Sequence, residues 1–94
     1  DTRTLYGAEA KYLVALQWYN AGNYASAEKE ILNFIDQSTP HAYWLARSFI
    51  LLSDVYVAMD KKLDARQYLL SLQQNYQADD DIASMINERL EKLK

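Results

Sequence analysis

Apolar residues recur along this chain at steps of three and four, in five runs parted by short polar breaks, and that period marks an amphipathic helix. The first run covers about residues 3–20 and strings Leu5, Ala8, Tyr12, Ala15 and Tyr19 along one line. It ends at Ala21-Gly22-Asn23, where Gly22 can take the positive φ of a helix C-terminal turn and Asn23 can cap the helix that follows. That second helix, about 24–36, carries Tyr24, Ala27, Ile31 and Ile35 on its stripe. Ser38-Thr39-Pro40 breaks the pattern again: Thr39 suits a cap, and Pro40 suits the first helical position, where no amide hydrogen is needed. The third helix is predicted over 40–59, striped by Ala42, Leu45, Phe49, Leu52 and Tyr56. The fourth follows over 61–76, with Asp60 as its cap and Ala65, Leu69, Leu72 and Tyr76 aligned. The fifth, 80–93, opens on Asp79-Asp80-Asp81, which suits the positive end of a helix dipole. Ile82, Met85, Ile86, Leu90 and Leu93 form its only apolar face, and Glu88 and Lys92 on the wet side stand four apart in the favourable order for an ion pair.

The first helix departs from this two-faced plan. Leu13, Val14, Leu16 and Trp18 fill the sides that the stripe leaves open, and a helix apolar all round belongs in an interior. The pattern therefore predicts cover on both of its flanks, by a preceding repeat or by a partner. Self-association through this helix is one way to supply it.

The two halves of the chain also match each other at an offset of 38 residues. At that offset Leu13-Val14-Ala15 meets Leu51-Leu52-Ser53, Trp18 meets Tyr56, Ala27 meets Ala65, and Ile31-Leu32 meets Leu69-Leu70. A repeat of this length made of two helices marks a stacked-helix solenoid, an architecture that mostly binds other proteins.

In these residues the chain resembles the tetratricopeptide repeat (TPR) family over residues 8–79. Gly22-Asn23-Tyr24 stands where that family has Gly-Asp-Tyr, Val14-Ala15 and Leu52-Ser53 stand for its Leu-Gly, and Trp18 and Tyr56 for its Tyr. Ala27 and Ala65 take the place of a small residue that lets paired helices approach, with Ile31 and Leu69 as the large neighbours and Phe49 as another. Lys11, Asp60-Lys61-Lys62, Phe34 and Leu72 depart from the pattern, and Pro40 comes one place late. The resemblance implies a right-handed, all-α TPR-like stack: two helix-turn-helix repeats and a C-terminal capping helix, all in one domain. It also implies a concave groove along the first helix of each repeat, lined by Glu9, Tyr12, Leu16, Tyr19, Asn20, Arg47, Ile50, Asp54, Val57 and Ala58. Arg47 and Asp54, ionisable on an otherwise apolar helix, either face water there or pair. The carboxylate clamp of chaperone-binding TPRs is not matched, since Tyr12, Leu16 and Leu51 occupy its places. The long period is similar to that of TPR proteins of the bacterial cell envelope, such as those of the Tol–Pal and outer-membrane assembly systems, which would put the chain in the envelope or periplasm.

Composition narrows the chemistry. Half the residues are hydrophobic, enough for a real core, and the few glycines and single proline suit helices. A net charge of −3 with scattered Lys and Arg lacks the basic stripe that nucleic acid requires. No apolar stretch nears the ~20 residues that span a bilayer. With no cysteine and one histidine, His41, no ordinary zinc site can be assembled, and nothing in the spacing brings triad partners to His41. Gly7 and Gly22 are isolated, so no phosphate loop is present, and Asp79–Asp81 lack calcium-loop spacing. Glu28 and Glu30 fall on the outer side of the second helix. The eight tyrosines and two tryptophans read mainly as packing, with Trp18, Tyr24, Tyr56 and Tyr68 in the core.

The expected function is thus a non-enzymatic scaffold without metal or cofactor, docking a partner protein or peptide in the groove. Two alternatives stay open: a structural end-cap of a longer TPR array with no ligand site of its own, or an accessory region of a larger enzyme or envelope complex.

Overall fold

The computed structural model describes residues 5–37 and 40–94, and all of its regular structure there is helical. In chain order the helices are α1 (Leu5–Asn20), α2 (Tyr24–Asp36), α3 (Ala42–Ala58), α4 (Lys62–Asn75) and α5 (Ile82–Lys92). The turns between α1 and α2 and between α3 and α4 are three residues long, which folds each pair back on itself. α3 then packs on both α1 and α2, and α5 packs on both α3 and α4.

The two tight turns are built alike. Gly22 has φ +79° and Asp60 φ +60°, 38 positions on. Asn23 N–H donates to the Trp18 carbonyl (2.9 Å) and Gly22 N–H to Tyr19 (3.0 Å); Lys61 N–H donates to Tyr56 (2.7 Å) and Asp60 N–H to Val57 (3.1 Å). Each pair of bonds closes a helix through one left-handed residue. Asp60 therefore ends α3 rather than capping α4, whose N-cap is Lys61, because the backbone needs the positive φ before it needs a cap. Asn23 does cap α2, its side chain accepting from Ser26 N–H at 3.3 Å. Pro40 lies two residues ahead of α3, which starts after His41, and Thr39 lies outside the described residues.

Side-chain burial follows the turns. Ala8 and Ala46, Ala15 and Ser53, Ala27 and Ala65, and Ile31 and Leu69 are all at most 2% exposed. One core cluster joins Tyr12, Ala15, Ala27 and Ile31 to Leu51, Leu52, Val55 and Tyr56; the other joins Ala46, Ile50, Leu69 and Leu72 to Ile82 and Ile86. α3 is the wall between them and is the helix buried on nearly every side. Its two buried hydroxyls, Ser48 and Ser53, bond back to the carbonyls of Trp44 (2.9 Å) and Ile50 (2.7 Å), so neither is left unpaired. α1, by contrast, is covered on one flank only. Tyr6, Leu13, Val14 and Trp18 are exposed, so Trp18 is not the core residue its alignment with Tyr56 predicts. Glu28 and Glu30 are half-buried, and Glu30 pairs with Lys11 at 3.7 Å.

Polar side chains also bridge α1 to α3 and α3 to α5. Arg47 reaches back to Tyr12, and Arg89 reaches back to Asp54, both across 35 residues. No helix among the described residues is long and apolar enough to cross a membrane.

Candidate functional site

Tyr19, at the end of α1, and Ser53, Asp54, Val57 and Ala58, on the last turns of α3, form one side of an open cleft of about 480 Å³. Lys62 and Leu69 of α4, Glu88, Arg89 and Lys92 of α5, and Leu93 just after it complete the lining. The helices explain this layout. α5 lays Ile82 and Ile86 on the second core cluster, which brings its next turn, Glu88 to Lys92, over the C-terminal half of α3.

The central feature is a two-pronged ion pair. Arg89 Nε donates to Asp54 Oδ1 at 2.9 Å and Nη2 to Oδ2 at 3.0 Å, while Nη1 donates to the Met85 carbonyl at 3.2 Å. Burial alone would lower the Arg89 pKa, but the bonds and charge of Asp54 outweigh it and the pKa rises, so the guanidinium stays charged. Both side chains are about a quarter exposed, and the pair holds α5 to α3 with roughly 1 kcal/mol or less. The Tyr19 hydroxyl is pushed above its ordinary pKa first by burial and then by the negative charge of Asp54, and stays protonated. Glu88 and Lys92 both line the cleft; the ion pair on the wet side of α5 is instead Lys94–Glu91, at 2.9 Å. With Asp54 and Arg89 neutralising each other, the charges left at the rim are Lys62 and Lys92 against Glu88. Val57, Ala58, Leu69, Leu93 and the Tyr19 ring supply the apolar part.

Of the residues predicted to line a groove, the structure brings Tyr19, Asp54, Val57 and Ala58 to this cleft. Asn20 is exposed on the last turn of α1, and Glu9 and Leu16 are half-buried, Leu16 against the first core cluster. Tyr12 and Ile50 are not groove surface: at 7% and 1% exposed they belong to the core, because α3 closes over Tyr12 and α5 over Ile50. Arg47 is clasped rather than presented. Its guanidinium lies 5.1 Å from the Tyr12 ring centre, 5.8 Å from Tyr43 and 5.9 Å from Trp44. It donates to the hydroxyls of Tyr12 (3.2 Å) and Tyr43 (3.0 Å), and Tyr43 passes its own hydrogen to Asp81 at 2.9 Å. This relay ties α1, α3 and the start of α5 together. Asp80 does the capping there, accepting from Ile82 N–H at 2.9 Å.

The cleft residues on α5 and α4 have no counterpart in the sequence-based groove. A single signal could have pointed to Arg89: a cation on the turn between Ile86 and Leu90, inside the apolar stripe of α5, needs an anion across the interface. Compared with known proteins, the chain matches no protein-family model, no curated protein and no solved structure.

Proposed function

We propose that the chain is a TPR-like, non-enzymatic scaffold that docks an extended peptide segment of a partner protein in the cleft between α3 and α5. The observation that carries this reading is the composition of the cleft: open to solvent, it sets apolar Val57, Ala58, Leu69 and Leu93 beside charged Lys62, Glu88 and Lys92. An apolar side chain of the peptide would sit against Val57, Ala58 and Leu93, and main-chain or acidic groups would meet Lys62 and Lys92. The repeat reading is supported by the matching left-handed turns at Gly22 and Asp60, 38 positions apart, and by the paired burial of Ala27 with Ala65 and Ile31 with Leu69.

The test is selection of peptides from a random displayed library against the folded chain. Binding of the enriched peptides should fall tenfold or more on Val57→Asp, a change at an exposed position that leaves the helical signal and melting temperature in place. Enriched peptides that bind Val57→Asp as well as they bind the parent, or no enrichment at all, would remove the cleft from consideration.

A further inference from the structure

Six exposed positions of α1 have counterparts one repeat later that are buried or, for Trp44, half-buried. Tyr6, Ala10, Leu13, Val14, Gln17 and Trp18 correspond at the 38-residue offset to Trp44, Ser48, Leu51, Leu52, Val55 and Tyr56. Leu13, Val14 and Trp18 are 44%, 40% and 40% exposed, against 3%, 0% and 8% for Leu51, Leu52 and Tyr56. The difference lies in the neighbours, not the residue types. In α3 this face is roofed by α1 and α2, through Tyr12, Ala15, Ala27 and Ile31.

Charge separates this face from the wet faces of α2, α4 and α5; α3 exposes only Ala42, Val57 and Ala58. The exposed residues of α2 include Lys29 and Asp36, those of α4 Lys62, Asp64 and Arg66, and those of α5 Glu88, Glu91 and Lys92; those of α1 include none. From Tyr6 to Trp18 the uncharged strip runs roughly 18 Å along the axis. Continuous apolar area on an otherwise charged surface is the composition of an interface.

We propose that this strip receives a further antiparallel helix pair, seated on α1 as α1 and α2 are seated on α3. Leu13, Val14 and Trp18 then play the parts of Leu51, Leu52 and Tyr56. A second copy of this chain does not fit the role. The chain offers two surfaces of the required kind, the side of α1–α2 that meets α3 and the side of α3–α4 that meets α5, and both are filled. The incoming pair also differs from α1–α2 in one respect. Gln17 stands in the place of Val55, so the pair must set a hydrogen-bonding group opposite it. The inference is independent of whether the α3–α5 cleft binds a peptide.

The chain can supply its own probe, because writing residues 1–38 twice ahead of residue 39 keeps the 38-residue spacing and sets a copy of α1–α2 beside the original α1. The original Trp18 is made the sole indole by Trp44→Phe throughout and Trp18→Phe in the added copy. The extended chain should melt in one transition above the parent, with Trp18 emission shifted to the blue and its acrylamide quenching reduced to that of a buried indole. Slowed amide exchange at residues 13–18 gives the same reading in chains that keep Trp44. Leu13→Asp in the original α1 should leave the parent midpoint nearly unchanged and abolish the gain in the extended chain. Two melting transitions with Trp18 as quenchable as before would overturn the proposal. So would sedimentation of the parent as a dimer at micromolar concentration that Leu13→Asp dissolves, since the occupant would then be a second copy.

Discussion

Trp18 and Tyr56 hold the same place in the two helix pairs, and each carbonyl accepts the N–H hydrogen bond that closes its turn. Yet Trp18 is 40% exposed and Tyr56 8%. Tyr56 lies under α1–α2, packs against Tyr68 at 5.6 Å between ring centres, and has its hydroxyl pKa raised, first by burial and then by its hydrogen bond to Glu28. Trp18 has no such roof. The α1–α2 and α3–α4 pairs therefore share a backbone plan and a set of contacts inside each pair, while their contacts between pairs differ. What a residue type contributes within its hairpin is local, and whether its outer face is buried depends on what packs beside that hairpin.

Substitutions at matched positions turn that comparison into measurements by chemical denaturation. The largest asymmetry is expected at the outer face. Tyr56→Ala removes a buried ring and should cost about 3–5 kcal/mol, whereas Trp18→Ala should cost about 1 kcal/mol or less. Equal costs would mean that Trp18 is covered in solution.

Next come the inner contacts, where the pairs should behave alike. Ala27→Leu and Ala65→Leu each force a branched side chain between helices at a fully buried position, for about 1–3 kcal/mol apiece. A neutral result at either would break the equivalence of the two hairpins.

The smallest effects belong to the turns, and they carry opposite signs. Gly22→Ala should destabilise by roughly 1–2 kcal/mol through backbone strain alone, because a Cβ there meets nothing within 4 Å. Asp60→Gly relieves the same strain in the second turn and should stabilise by up to about 1 kcal/mol, less than the mirror change because Asp tolerates the left-handed region. Loss of stability on Asp60→Gly would show that the carboxylate, not the backbone angle, matters at that turn.

The helices were legible in the chain because their causes are local: a period of three and four, a glycine free to turn left-handed, an asparagine able to cap. The same local logic assigned Asp60 to the wrong side of its turn, since Asp suits both a cap and a left-handed position and only the closed turn chooses between them. The candidate site was legible in part. Tyr19, Asp54, Val57 and Ala58 follow from the helix faces, but their cleft exists because α5 crosses α3 and brings Arg89 across 35 residues of sequence. Tyr12 and Ile50 sit on the same faces and are sealed, Tyr12 by α3 and Ile50 by α5.

Sequence alone determined the helical content, the 38-residue repeat and the small residues Ala27 and Ala65 at the heart of each pair, because these depend on side-chain period and volume within a few turns of the chain. Tertiary structure alone decided that α3 rather than α1 is the enclosed helix, that Asp54 is answered by Arg89, and that Arg47 is held by three aromatic rings. Those outcomes depend on which helix lies beside which, and neighbouring helices are set by packing between distant parts of the chain.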